Sequence, residues 1–135
     1  MSVKALAKSV KISPRKVSEV ASLVRGRTVA DAFVILNHVD RKKSTKAIID
    51  VIKSATANAV HNHAYKEDGL YISEITVNHG PRTKRFRPVA RGMSHPYMLR
   101  TSHIKVLVDG QLRQSAKAVT ETATVTKKKT TKETK

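Results

Sequence analysis

From Ile75 to Val108 the chain runs for 34 residues without one acidic side chain, while carrying seven lysines and arginines. Its middle, residues 79–97, reads HGPRTKRFRPVARGMSHPY and holds five basic residues and three of the four prolines. Such a segment cannot enter a core, because unpaired charge is costly in apolar surroundings and proline removes backbone donors. It is also long for a hairpin loop, which usually takes about 2–5 residues. What flanks it decides its form. Leu70 to Asn78 is rich in β-formers, and Ile104, Val106 and Val108 alternate with His103, Lys105, Leu107 and Asp109. Leu70 and Ile72 share one parity and Ile75 and Val77 the other, which predicts a bulge near Ser73-Glu74. If the two strands pair antiparallel, their bend falls near Val89 to Gly92. The segment is then the outer part of one long hairpin arm, at about residues 78–103. With about twelve residues per side at ~3.3 Å each, the arm projects on the order of 40 Å. It has no apolar face to fold back with, so it needs a partner.

The rest of the sequence supplies a small body. Val3 to Ile12 reads as a weak strand or extended lead-in. Ser13 can cap a first helix, Pro14 suits its first position, and Val17, Val20, Ala21 and Val24 follow at helical spacing, with Gly26 as the stop. Thr28 and Asp31 have the spacing of a capping box, with Asp in place of Glu or Gln, and Val29, Ala32, Phe33 and Leu36 mark a second helix. Asp40 is placed to cap a third over 41–64, whose apolar stripe is Ile48, Val51, Ile52, Ala55 and Ala59. Its first turns carry Arg41, Lys42, Lys43 and Lys46, where the helix dipole disfavours them. An external anion, or solvation alone, can resolve that conflict. The expected fold class is therefore α+β: three helices packed on a short antiparallel sheet, a protruding β-hairpin arm, and a C-terminal tail. The expected domain covers 1–110, and 111–135, ending VTKKKTTKETK, reads as a disordered basic tail.

A formal charge of +17 attracts polyanions. It is spread unevenly. Residues 1–27 carry seven lysines and arginines against Glu19 alone, residues 28–74 are balanced at six against six, and 113–135 carry seven against Glu121 and Glu133. An ordinary body is thus bordered by three basic segments, a pattern suited to wrapping by polyanion on several sides. Aromatics make up only 4%, with no tryptophan, which argues against a single-strand stacking platform and for contacts to the backbone of structured nucleic acid. The absence of cysteine excludes disulfides, thiolate metal sites and cysteine nucleophiles. No apolar run reaches the ~20 residues of a membrane span, so no membrane is expected as partner and the reading is cytoplasmic.

No catalytic constellation survives inspection. His61-Asn62-His63 spells a nuclease motif only alphabetically, since residues two apart on a helix do not face each other. The six histidines show no zinc-ligand spacing, so neither a metal nor another cofactor is expected. Thr101-Ser102-His103 offers hydroxyls beside an imidazole, but adjacent strand residues point to opposite faces and no carboxylate stands near to orient the ring.

Several separated motifs do carry a resemblance. ISPRKV from Ile12, LVRGR from Leu23, ATANAVHN from Ala55, Gly80-Pro81, and Arg100-Thr101-Ser102-His103-Ile104 occur in order over about residues 3–109. In these the chain resembles the large-subunit ribosomal protein family numbered twenty-two, of bacterial type. The resemblance implies a non-enzymatic α+β protein that binds 23S rRNA, supports subunit assembly and sits in the cytoplasmic ribosome beside neighbouring ribosomal proteins. It implies a hairpin whose tip, Pro88, Val89, Ala90, Arg91 and Gly92, lines the nascent-peptide exit tunnel and meets the nascent peptide. It further implies rRNA contacts at Ser13, Arg15, Lys16, Arg25 and Arg27 on the first helix. On the hairpin these would be Arg82, Lys84, Arg85, Arg87, Arg91, Arg100, Thr101, Ser102 and His103. Gly80 and Gly92 would let the backbone pass close to RNA. The return strand departs from the family pattern at Met93-Ser94, Pro96 and Leu99, and the proline predicts irregular pairing around Pro96. The competing expectation is an architectural DNA-binding protein whose proline-bearing β-arm grips a minor groove, with a histone-like tail.

Overall fold

A computed structural model describes residues 2–111; the expected tail lies outside the described residues apart from Gln111. The elements run β1 (Val3–Val10), α1 (Pro14–Val24), α2 (Val29–His38), α3 (Lys42–His63), β2 (Tyr71–Pro88) and β3 (Ser94–Asp109). They form an α+β fold in which three helices cover one face of a three-stranded antiparallel sheet ordered β1-β3-β2.

Strand β3 is central, paired with β1 on one side and β2 on the other, and its alternation turns one face to the core. Ile104, Val106 and Val108 are fully buried and meet Val3 and Ala5 of β1 on one side and Ile72 and Ile75 of β2 on the other. The parity change in β2 is absorbed where expected. Ile72 pairs with Val108 and Glu74 with Leu107, so Ser73 is the extra residue and both isoleucines keep facing the core. Each such side chain contributes about 1.5–3 kcal/mol by leaving water. From the helices come Val17, Val20, Ala21 and Val24, then Ala32 and Leu36, then Ile48, Ile52, Ala55 and Ala59.

The helix ends fix how the body is strung. Pro14 opens α1, and Ser13 holds the cap position without a side-chain capping bond. Gly26, at φ +73°, turns the chain out of α1 and along the outer edge of β2. There the Gly26 N–H donates to the Ile72 carbonyl at 3.0 Å and the Ile72 N–H donates back to the Arg27 carbonyl at 2.8 Å. Thr28 caps α2 by accepting from the Asp31 N–H at 3.1 Å. Asp40, expected to cap α3, does not. Arg41 is the boundary residue with non-helical backbone, which leaves Asp40 one position outside, where its carbonyl accepts from the Lys42 N–H at 2.8 Å. At the other end of α3, Ala64 adopts a left-handed φ of 51° and the Tyr65 N–H closes back on the Ala59 carbonyl at 3.1 Å. The Lys66 N–H then donates to the Gln111 carbonyl at 3.0 Å, which pins the end of α3 beside the end of β3. At 1.5 Å per residue α3 is ~33 Å long, so its start lies toward the opposite pole.

From that pole the hairpin leaves. The last pair with β1 is Val10 with Ser102, and β2 and β3 continue alone from Arg82/Arg100 to Pro88/Ser94. Every residue from 81 to 100 is exposed. Residues 82–88 at ~3.3 Å each extend the paired ribbon by roughly 23 Å before the bend, less than the ~40 Å expected, because Asn78 and His79 still pair within the body. The bend lies at Ala90–Gly92, closed by the Val89 N–H on the Met93 carbonyl at 2.9 Å, with Arg91 and Gly92 both left-handed at φ 58° and 67°.

The pairing at Pro96 corrects the sequence reading. Phe86 pairs with Pro96 in unbroken register, and the irregularity falls instead between His79 and Arg82. The Val89–Met93 bond makes that pair a hydrogen-bonded one, so alternation puts Pro88/Ser94 and Phe86/Pro96 at non-hydrogen-bonded positions. Both prolines therefore miss a donor that the ladder does not use.

Candidate nucleic-acid interface

Strand alternation distributes the arm's charge over both of its faces. Arg82 and Lys84 share one face with Phe86 and, across the ribbon, Arg100 and Met98; Arg85 and Arg87 share the other with Leu99 and Tyr97. The Arg87 guanidinium lies 5.8 Å from the centre of the Tyr97 ring, within cation–π range. Phe86 is 75% exposed and Met93 66%. An isolated two-stranded ribbon with uncovered apolar groups is marginal in water. Such an arm suits a polyanion that surrounds it rather than one that lies along one side.

At the arm's base an open groove of about 590 Å³ is lined by Ser13, Pro14, Arg15, Ser18, Val77, His79 and Arg100. It unites three of the sequence-predicted residues, Ser13, Arg15 and Arg100, with the start of α1. Helix α1 has no acid in its first turn and no side-chain cap, so its dipole adds to the positive field there, although Pro14 has no N–H and the Lys16 and Val17 N–H groups donate to the Ser13 carbonyl at 3.1 and 3.3 Å. Helix α3 likewise has no first-turn acid and no side-chain cap, and its first turn carries Lys42 and Lys43 beside Arg41. The conventionally capped helix, α2, starts at the other pole, where the Val29 N–H donates to the Leu70 carbonyl at 3.0 Å. Two uncapped helix starts thus face the same way as the arm. Part of the charge at α3 has an internal answer: Arg41 Nη2 lies 2.7 Å from Glu19 Oε2 on α1. His79 was not singled out from sequence. Its only signal is parity, as the next outward member of the series Ile75, Val77, His79.

Other sequence-predicted residues are arranged differently. Lys16 is exposed on the first turn of α1, near the groove. Arg25 and Arg27 sit at the far end of α1, away from it. Arg25 Nη2 donates to the Ile75 carbonyl at 3.0 Å, and the Arg27 carbonyl serves the edge pairing with Ile72. Thr101 Oγ1 donates to the Pro81 carbonyl at 2.7 Å. Ser102 is fully buried, and its hydroxyl has no hydrogen-bond partner among the described residues. His103 Nδ1 accepts from the Ser9 N–H at 3.0 Å, which leaves Nε2 as the ring's donor. Arg91 is at the tip, with Pro88, Val89, Ala90 and Gly92 around it. Gly80 and Gly92 both have reasons internal to the fold. A methyl on Gly80 would collide with the Thr101 hydroxyl, and Gly92 is left-handed.

Among the described residues, the displaced titration lies outside this region. Burial raises the Tyr65 phenol above 10.0, with Asp109 and Tyr71 adding to the effect. Among the described residues no group of His, Asp or Glu could hold a metal ion, and no helix is long and apolar enough to cross a membrane.

Residues 5–109 match the family described as Ribosomal protein L22p/L17e. The Large ribosomal subunit protein uL22 of Oceanobacillus iheyensis is 51% identical over 108 residues, which covers 80% of this chain and 95% of that protein. The protein of the same name from Clostridium novyi is 44% identical over 108 residues, with 80% and 96% covered. That from Thermosipho africanus is 45% identical over 115 residues, with 84% and 77% covered. These matches give no support to the expected alternative of an architectural DNA-binding protein, whose grounds were the charge, the arm and the basic tail. The matched span runs from the middle of β1 through the three helices and the whole hairpin to the end of β3. By that match, and by its similarity to these relatives over four-fifths of its length, the chain belongs to the ribosomal protein L22p/L17e family.

Proposed function

We propose that this chain is a structural, non-enzymatic component of the large ribosomal subunit that binds 23S rRNA with its arm and with the pole from which the arm leaves. One observation carries this reading: the arm is exposed throughout residues 81–100, basic on both faces and free of acid. The relatives' names, Large ribosomal subunit protein uL22, supply the assembly. Arg82, Lys84, Arg85, Arg87 and Arg100 bridge phosphates along the ribbon, and Arg15, Lys16 and Ser13 do so at the start of α1. The tip, Pro88 to Gly92, reaches the wall of the nascent-peptide tunnel, and the body rests among neighbouring ribosomal proteins, supporting subunit assembly. The buried Ser102 serves the body and is not a direct contact.

Binding of the purified chain to 23S rRNA across a salt series tests the reading, with duplex DNA as competitor. Each phosphate neutralised adds about 0.7–0.9 to the log–log salt slope. The expected result is a steep slope and poor displacement by DNA. Affinity that ignores salt, or equal competition by DNA, would overturn it. For the tip, a photo-crosslinker in place of Val89 in assembled ribosomes is expected to label the nascent peptide.

A further inference from the structure

Where the ribbon leaves the body, the strands do not match residue for residue. His79 pairs with Ser102 and Arg82 with Arg100, so Gly80 and Pro81 together face the single Thr101. This is a two-against-one bulge, which bends its strand and raises the local twist. It lies one residue beyond the last pair between β1 and β3, and Pro81 begins the run of exposed residues. All direction given to the arm therefore passes through it.

The bulge is also chemically closed. Pro81 has no N–H to offer, and the extra residue breaks the ladder on its strand. The Thr101 hydroxyl donates to the Pro81 carbonyl at 2.7 Å, supplying from a side chain a bond that the ladder lacks there. Gly80 makes room for it. A methyl at Gly80 would strike that hydroxyl and approach the Thr101 backbone carbon at 3.1 Å. Three residues on two strands are thus mutually fitted: one without a side chain, one without a donor, one whose side chain joins them.

We propose that Gly80, Pro81 and Thr101 form a fixed corner that sets the angle of the arm to the body before any partner binds, with Thr101 as the positioning residue. It rests on no RNA contact, and goes beyond the rRNA reading by assigning Thr101 a role in the free protein. A change of ~15° at the corner would move a tip ~30 Å away by about 8 Å, so a small loss of definition is large at the far end.

The chain has no cysteine, so two introduced thiols are its only ones. Ser54→Cys on α3 and Ser94→Cys near the tip are both exposed and can carry spin labels in the full-length chain. The labelled parent is expected to give one narrow distance distribution. Thr101→Val keeps the shape and removes the hydroxyl; it is expected to broaden the distribution about two-fold or move its maximum by several ångström. Thr101→Ser is expected to restore the parent distribution. Gly80→Ala, acting from the opposite strand, is expected to behave like Thr101→Val, and serves if that variant does not fold. A parent-like distribution in a folded Thr101→Val or Gly80→Ala chain would overturn the proposal, as would a Thr101→Ser chain as broad as Thr101→Val. Because the distances are read without RNA, a parent that fails to bind 23S rRNA would sink that assignment and leave the corner to be judged separately.

Discussion

The Arg25 guanidinium at the end of α1 reaches across to β2 and donates from Nη2 to the Ile75 carbonyl at 3.0 Å. Ile75 is the first inward residue after the Ser73 bulge, so the bond fastens the helix to the strand where its pairing resumes. A charged donor on a carbonyl is worth about 1.5–3 kcal/mol when sheltered, and less at this partly exposed site. Arg25→Met, which keeps the stem and loses the donors, is expected to lower stability by roughly 1–2 kcal/mol, read as a lower urea midpoint at unchanged slope. If instead stability holds while rRNA affinity falls several-fold, Arg25 belongs to the interface rather than to the body.

Ala64 offers the opposite sign. It ends α3 in the left-handed region at φ 51°, a conformation that costs an L-residue about 1–2 kcal/mol. The Tyr65 N–H to Ala59 carbonyl bond holds it there. Glycine removes the steric cost and gives back part of it as chain entropy in the unfolded state. Ala64→Gly is expected to raise stability by about 0.5–1 kcal/mol, measured by thermal or urea unfolding. A loss would mean that the Ala64 methyl packs more than its exposed position suggests.

What the sequence revealed, and what it hid, divides along a physical line. Periodicity is local, so the alternation of Ile104, Val106 and Val108 showed a half-buried strand, though not its central place in the sheet, and the parity break between Ile72 and Ile75 showed the bulge. Thr28 was legible because a capping bond spans three residues. Arg25 was not, since its carbonyl lies 50 residues away and a guanidinium looks the same whether it meets RNA or backbone. Ser102 read as a donor to RNA because its burial depends on β1 and the helices, not on its neighbours in sequence. The tolerance of Pro96 depends on the phase of hydrogen bonding, which the tip sets and no composition reveals.

Tyr65 gives the body a dependence on alkaline pH. Burial first, then Asp109 and Tyr71, hold its phenol above 10.0. Well below pH 10.0 the phenol is protonated in both states and its contribution is complete. As pH rises past that value the unfolded chain releases its proton first, and stability falls until the raised folded value is passed. The chain is expected to lose stability above pH 10.0 more steeply than Tyr65→Phe, in paired urea titrations at rising pH. Parallel curves would show that the lysines, which titrate in the same range, account for the whole effect.

Glu19 is the only acid among the first 27 residues, and it faces Arg41 at 2.7 Å with both side chains about half exposed, at 51% and 49%. A pair this open contributes at most about 1 kcal/mol, so Glu19→Gln is expected to leave stability nearly unchanged. Its effect on binding is expected to be larger. Removing the carboxylate frees Arg41 beside Lys42 and Lys43 at the uncapped start of α3, on the pole that the arm leaves from. If this pole meets phosphate, rRNA affinity at low salt rises and the salt slope steepens by about 0.7–0.9, the share of one further phosphate. A slope that does not change, with Arg41 free to act, would confine the interface to the arm and the α1 groove.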